Sequence, residues 1–139
     1  MKLSGIIETA LYVEDVARAR EFYRNLFDLD FAADDDPSGR FGALQLSPGN
    51  ILLFFKKGTT QTPLTLPGGI IPAHGGSGQV HFAFGVEAGD YDAWKKHLIA
   101  KGVAIESEVT WPRGGISLYF RDPDGNLGEL ITPNVWPNC

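Results

Sequence analysis

The chain is poor in cysteine, in clustered basic residues and in long apolar runs, and each shortage removes a class of protein. One cysteine occurs in 139 residues, and it is the last, Cys139. No disulfide framework or thiolate metal cluster can form from it, and a reducing, cytoplasmic setting is the simpler expectation. No stretch approaches the roughly 20 apolar residues of a membrane span, and the first five residues leave no room for the charged and apolar regions of a secretory signal. With 12 Lys and Arg against 17 Asp and Glu, the net charge is -5. Binding to nucleic acid draws on clustered cations, and basic residues here stand at most in pairs such as Lys56-Lys57. The expected partner is a small-molecule substrate, with no nucleic acid and no membrane.

What is present suffices for one core. Hydrophobic residues make up 43% of the chain and charged residues 21%, which at this length supports a single domain over residues 1–139. The most informative stretch is residues 119–133, Tyr-Phe-Arg-Asp-Pro-Asp-Gly-Asn-Leu-Gly-Glu-Leu-Ile-Thr-Pro. Asp122, Pro123, Asp124, Gly125 and Asn126 carry turn chemistry: proline fixes φ, Asp and Asn bond their own backbone, and glycine takes positive φ without strain. Two strands joined by a tight turn are predicted. In the second, Leu127, Glu129 and Ile131 share a face by period-2 alternation. A carboxylate between two large apolar residues is costly to bury alone, so Glu129 must be neutralised, ion-paired or bound to a metal.

Upstream, residues 6–13 alternate Ile6, Glu8, Ala10 and Tyr12 against Ile7, Thr9, Leu11 and Val13, which predicts a strand. Asp15 caps a predicted helix reaching Phe27, with Val16, Ala19, Phe22, Tyr23 and Leu26 at helical spacing. Residues 28–40 hold a short strand near 29–32 and a polar loop in which Asp34, Asp35 and Asp36 read as a solvated turn. Strands at 41–46 and 51–55 flank the turn Ser47-Pro48-Gly49-Asn50. Residues 58–78 change to Thr, Pro and Gly and predict a loop. The pattern then recurs, with a strand at 79–86, a helix at 90–101 and strands at 104–108, 116–121 and 127–131. Val13-Glu14 is answered by Val86-Glu87, Asp15 by Asp90 and Gly49-Asn50 by Gly125-Asn126. The prediction is an α+β fold of two βαβββ modules, residues 5–57 and 79–133, joined by a Gly/Pro-rich linker at 58–78.

Laying one module over the other pairs Glu8 with His81, each five residues before its Val-Glu, and Leu53 with Glu129, each three residues after its Gly-Asn. Equivalent strands of a duplicated fold meet about a pseudo-twofold axis, so three of four inward positions carry metal-ligand side chains: Glu8, His81 and Glu129. Val80, Phe82, Phe84 and Val86 form the opposite, apolar face of the 79–86 strand, leaving His81 with Ala83 and Gly85 on the face free for a cavity. Singly, each of the three reads as a structural hydrogen-bonding group; jointly, two carboxylates and an imidazole with open positions suit a catalytic divalent ion, Fe, Mn, Zn or Ni. Ser117, Tyr119 and Arg121 share a face of the neighbouring strand. Arg113, within Trp111-Pro112-Arg113-Gly114-Gly115, suits an anionic substrate as a bidentate donor. His74, in the loop, is an acid–base candidate because an imidazole titrates near neutral pH.

Three motifs together resemble the vicinal oxygen chelate superfamily, which includes glyoxalase I, extradiol dioxygenases, fosfomycin-resistance transferases and bleomycin-resistance proteins. They are the opening Leu-Tyr-Val-Glu-Asp-Val followed by Ala-Arg-Glu-Phe-Tyr, His81 at the start of its strand, and Tyr-Phe-Arg-Asp-Pro-Asp-Gly-Asn before Glu129. The resemblance covers residues 6–133. It implies a curved mixed sheet around a metal and substrate cavity, ligand roles for Glu8, His81 and Glu129, and a homodimer whose modules pair within a chain or swap between chains. Tyr119 holds the place of a tyrosine that reaches the metal pocket in the fosfomycin and extradiol enzymes. Three departures stand out: Leu53 replaces a fourth ligand of glyoxalase I, Glu8 stands where most extradiol and fosfomycin enzymes carry His, and Ala10 stands where the fosfomycin enzymes carry a drug-contacting Thr.

The resulting expectation is a divalent-metal-dependent enzyme that chelates vicinal oxygens of a small oxygen-rich substrate, by isomerase, lyase or dioxygenase chemistry. Tyr119, His74 and Glu129 are its catalytic candidates, and Arg113, Ser117, Trp111 and Arg121 its substrate contacts. A metal-free drug-binding module and a fosfomycin-type thiol transferase are the other readings.

Overall fold

Strand alternation, caps and turns lay down ten strands and two helices in a computed structural model that describes residues 1–33 and 36–137. Asp34, Asp35 and Cys139 lie outside the described residues. The chain divides into two compact units, residues 1–78 and 79–139.

The first unit contains β1 (Glu8–Val13), α1 (Val16–Phe27), β2 (Asp30–Phe31), β3 (Phe41–Ser47) and β4 (Asn50–Lys56). Its sheet has the order β1-β4-β3-β2, with β1 and β4 parallel and the other pairs antiparallel. Asp15 is the N-cap of α1: its Oδ1 accepts from the Arg18 N–H at 2.9 Å, satisfying one of the donors that a helix start leaves open. Asp28 ends the helix in the left-handed region at φ 52. Val16, Ala19, Tyr23 and Leu26 bury one face of α1, and the Tyr23 ring lies 5.6 Å from that of Phe54 on β4. Removing a side chain of this size from water contributes about 1.5–3 kcal/mol, so this face fixes α1 against the sheet.

Residues 58–78, expected to be loop throughout, contain a hairpin of β5 (Leu64–Leu66) and β6 (Gly69–Ile71) turning at Pro67-Gly68. Its strands are three residues long and exposed on both faces, so no buried alternation marks them in the sequence.

The second unit repeats the plan with β7 (His81–Gly85), α2 (Tyr91–Ala100), β8 (Ile105–Thr110), β9 (Ile116–Arg121) and β10 (Leu127–Ile131), in the order β7-β10-β9-β8. Parallel pairing sets Leu127 beside His81 and Glu129 beside Ala83, as it sets Ile51 beside Glu8 and Leu53 beside Ala10 in the first unit. The two sheets therefore agree in order and in register. Two details differ from the sequence expectation. A 3-10 turn, Ala88–Asp90, precedes α2, and Asp90 makes no side-chain cap. Its backbone, at φ -97 and ψ -4, is already helical, whereas a capping residue such as Asp15 is extended. The first strand of the unit also starts at His81 rather than at residue 79, and the Val80 N–H before it is taken by the Asn126 side chain.

Candidate functional site

The Asp122–Asn126 turn sets the geometry of the second unit's polar face. Asp122 Oδ1 accepts from the backbone N–H groups of Asp124 (2.9 Å) and Asn126 (2.8 Å), and Oδ2 accepts from the Asn126 side-chain amide (2.9 Å). The other end of that amide, Oδ1, accepts from the Val80 N–H at 3.1 Å, while the Leu127 N–H donates to the Val80 carbonyl at 2.9 Å. Both Asp122 and Asn126 are buried, so these bonds are made away from competing water. The turn thereby joins the start of β7 to the start of β10 and holds His81 directly beside Leu127.

From there the two ligand-type residues converge. His81 Nε2 stands 3.2 Å from Glu129 Oε2. The glutamate is 5% exposed whereas the imidazole is open to solvent. At the other ring nitrogen, Nδ1 lies 3.1 Å from the Leu127 carbonyl. A carbonyl only accepts, which assigns a proton to Nδ1 and points the Nε2 lone pair of the neutral ring at a carboxylate oxygen. Two acceptors this close require either a proton shared between them or a bound cation. The pair fits a metal edge. Two N or O ligands on one ion at roughly 2.1 Å stand about 3–3.4 Å apart, and a carbonyl behind Nδ1 is the usual support of a ligating histidine. Among the described residues no group of three or more His, Cys, Asp or Glu side chains is arranged to hold a metal ion.

Tyr119 is the cross-strand partner of Glu129, and its ring centroid is 6.1 Å from that of His81. Burial pushes its phenol above the ordinary tyrosine value, and the neighbouring Glu129 carboxylate pushes the same way, while a bond with Ser117 partly opposes them. Ser117 is fully buried, and its Oγ accepts from the Trp111 indole N–H at 2.8 Å. Arg121 lies on the same face of β9, but its guanidinium is taken: Nε and Nη2 donate to the two Glu106 oxygens at 2.7 and 2.9 Å, and Nη1 donates to the Gly125 carbonyl at 3.1 Å. Arg113 sits exposed on the turn between β8 and β9. The second unit thus brings together His81, Glu129, Tyr119, Ser117 and Trp111, and turns Arg121 toward β8.

Glu8 and His74 belong to the first unit. Glu8 is exposed on the β1 face that also carries Ala10 and Tyr12, and it lines a cavity of about 740 Å³ together with Leu53, Phe55 and His74. His74 Nδ1 is 2.6 Å from the Tyr12 hydroxyl. Tyr12 is the residue that sequence reading overlooked: alternation placed it on the face of Glu8, but its partner is 62 positions away and no local signal links them.

The family model of the Glyoxalase/Bleomycin resistance protein/Dioxygenase superfamily matches residues 5–130. Among solved structures, a lactoylglutathione lyase from Agrobacterium tumefaciens superposes with a TM-score of 0.87 at 33% identity, over 98% of each chain. A glyoxalase/dioxygenase from Nostoc punctiforme superposes at 0.65 and 22% identity, covering 93% of this chain and 90% of that one. The fosfomycin resistance protein FosX from Listeria monocytogenes gives 0.66 and 21%, covering 96% and 97%. The last two are similar in fold alone. No curated protein sequence matches the chain.

Proposed function

We propose, because the chain belongs to the Glyoxalase/Bleomycin resistance protein/Dioxygenase superfamily, whose members typically use a divalent metal ion, that it is a metal-dependent enzyme acting on a small oxygen-rich molecule. The observation that carries this reading is the 3.2 Å approach of His81 Nε2 to the buried Glu129 carboxylate, with Nδ1 held by the Leu127 carbonyl. His81 and Glu129 are two ligands. Glu8, at the register position in its own unit that His81 occupies in the second, is the third; Leu53, at the position of Glu129, offers no donor. When bound, the ion supplies Lewis-acid polarisation of vicinal substrate oxygens.

The chain's own residues do the rest. Tyr119, a phenol that burial and the neighbouring Glu129 carboxylate push above the ordinary tyrosine value, donates to charge developing on the substrate. Arg113 holds an anionic group, and the Trp111–Ser117 bond fixes the wall beside Tyr119. Similarity to the lactoylglutathione lyase favours lyase or isomerase chemistry over dioxygenation, and lactoylglutathione is the first substrate to offer. No helix among the described residues is long and apolar enough to cross a membrane; a cytoplasmic homodimer is the working form of this proposal.

Elemental analysis after incubation with Mn, Fe, Zn or Ni salts tests the reading. About one ion per chain is expected in the parent and none in His81→Ala or Glu129→Ala, since three protein ligands leave little redundancy. Absence of any ion from the parent overturns it.

A further inference from the structure

Beyond its last strand the second unit departs from the plan of the first. Lys56 and Lys57 hold in the first unit the register positions of Thr132 and Pro133 in the second. The first residue of each pair does the same thing: the Lys56 N–H donates to the Arg40 carbonyl at 2.9 Å and the Thr132 N–H to the Ile116 carbonyl at 3.0 Å. The second does not. The Lys57 N–H donates to the Val13 carbonyl at 2.9 Å and keeps the chain beside β1, whereas Pro133 has no N–H to continue in that way. The chain turns instead, with Asn134 in the left-handed region at φ 70.

That turn lays the tail across Gly115. A Cβ on Gly115 would stand 2.6 Å from Val135 Cγ2, 2.7 Å from the Pro133 carbonyl oxygen and 2.8 Å from the Val135 nitrogen, so the approach itself requires glycine. Thr132 is buried and doubly committed, because its Oγ1 also accepts from the Ile116 N–H at 2.8 Å. In the first unit the matching N–H, that of Arg40, is taken by Asp36 Oδ2 at 3.1 Å from within its own turn, and a Cβ on the matching Gly39 would meet nothing within 4 Å. The 36–40 turn closes on itself; the turn between β8 and β9 is held from outside. From Gly115 the tie runs inward. The Trp111 N–H donates to the Gly115 carbonyl at 2.8 Å, the Gly114 N–H to the Trp111 carbonyl at 2.8 Å, and the Trp111 indole to Ser117 Oγ at 2.8 Å.

We propose that residues 132–135 form a strap whose closure on Gly115 sets the position of the 111–116 turn, with Thr132 as its positioning residue. What the strap holds in place is Trp111 and, at the tip of the turn, Arg113. A side chain on a turn fastened at both ends has less freedom to lose when it meets an anionic group. That consequence rests on the reading of Arg113 and Trp111 as substrate contacts, whereas the strap itself rests on the contacts with Gly115 and Ile116.

Hydrogen exchange read by NMR on the full chain tests the strap without any substrate. Thr132→Val keeps the side-chain shape and removes the acceptor, so the Ile116 amide is expected to exchange about tenfold faster, the scale of a buried donor left without a partner. The deciding protons are the Gly114 amide and the Trp111 indole, whose acceptors are not Thr132. Both are expected to speed up as well, while amides at the centre of the β9–β10 ladder keep their protection. Thr132→Ser, which retains the hydroxyl, is expected to exchange like the parent. A chain ended after Asn134, which takes Val135 off Gly115, should loosen the same turn and gives an independent reading should Thr132→Val fail to fold. With metal-loaded protein and lactoylglutathione, Thr132→Val is expected to raise KM about tenfold at unchanged kcat and metal content, and Arg113→Ala to add little to it, since both remove one contact. The proposal is overturned if Ile116 alone responds, if the shortened chain exchanges like the parent, or if the two effects on KM add in full. A parent inactive on lactoylglutathione counts against the enzymatic reading alone, and exchange at Gly114 and Trp111 then decides the strap.

Discussion

The two units share a backbone plan and differ on one face of their sheets. On the buried face, the first unit pairs Gly42 with Phe54 and Leu44 with Leu52; the second pairs Leu118 with Leu130 and Phe120 with Gly128. Each sheet therefore uses one Gly–Phe and one Leu–Leu pair, in exchanged places, so the volume to be filled is kept while the identity of each residue is free. On the other face the central pair is Ala43 with Leu53 in the first unit and Tyr119 with Glu129 in the second. Volume does not explain that difference. A leucine there needs no partner, whereas a buried carboxylate between an imidazole and a phenol suits charge. The duplication has kept packing twice and has divided chemistry between the copies.

Making the units alike should have the largest effect. Glu129→Leu gives β10 the residue that β4 carries. The variant is expected to fold, because an apolar side chain replaces a buried charge and the exposed His81 can turn to water. Ion binding should drop below detection by isothermal titration, with the thermal midpoint held at or above that of the metal-free parent. A variant that binds the ion like the parent would show that Glu129 is a structural acid.

Tyr119→Phe is a finer cut in the same pair. It removes the phenol proton without changing ring packing. Turnover of lactoylglutathione, or of another accepted substrate, should fall about 10²-fold with metal content unchanged, the lower end of an acid–base contribution. Unaltered turnover would reduce Tyr119 to wall.

What could be read from the sequence, and what could not, follows the range of the signals. Turn chemistry and alternation are local, so β9, β10 and the Asp122–Asn126 turn were legible to the residue. The matching of Glu8 with His81 and of Leu53 with Glu129 was legible because a repeat converts long-range register into offsets from a nearby Gly-Asn or Val-Glu. The β5–β6 hairpin was not, since strands exposed on both faces carry no alternation. Nor was the commitment of Arg121 to Glu106 or of His74 to Tyr12: both join side chains across separate elements, and nothing in either neighbourhood names the partner.

The exchanged core pairs give a third test, of intermediate size. Gly128→Leu would drive a side chain into the fully buried Phe120 ring and should cost about 1–3 kcal/mol by urea denaturation. Adding Phe120→Leu recreates the Leu44–Leu52 pair of the first unit. The double variant should recover about 1 kcal/mol or more relative to the sum of the singles, as expected of residues in contact. Strict additivity would mean that the two sheets are spaced by something other than these side chains.

The smallest effect expected is on pH dependence, and it too separates the units. Arg121 hydrogen-bonds Glu106 and holds its carboxyl below the usual glutamate range, whereas the first unit has Gln45 at the register position of Arg121 and no such pair there. A carboxyl whose folded value is depressed contributes stability that is fully present above its unfolded value, about 4.3, and is lost as pH falls through the folded value. Both side chains are close to half exposed, so solvent and salt screen the pair and the contribution is small. Urea midpoints measured from pH 6 down to pH 3 at low salt should fall more steeply for the parent than for Glu106→Gln, which has no carboxyl to protonate there, and 0.5 M NaCl should shrink the difference. Parallel profiles for parent and variant would mean that the Arg121–Glu106 pair orients the arginine without stabilising the sheet.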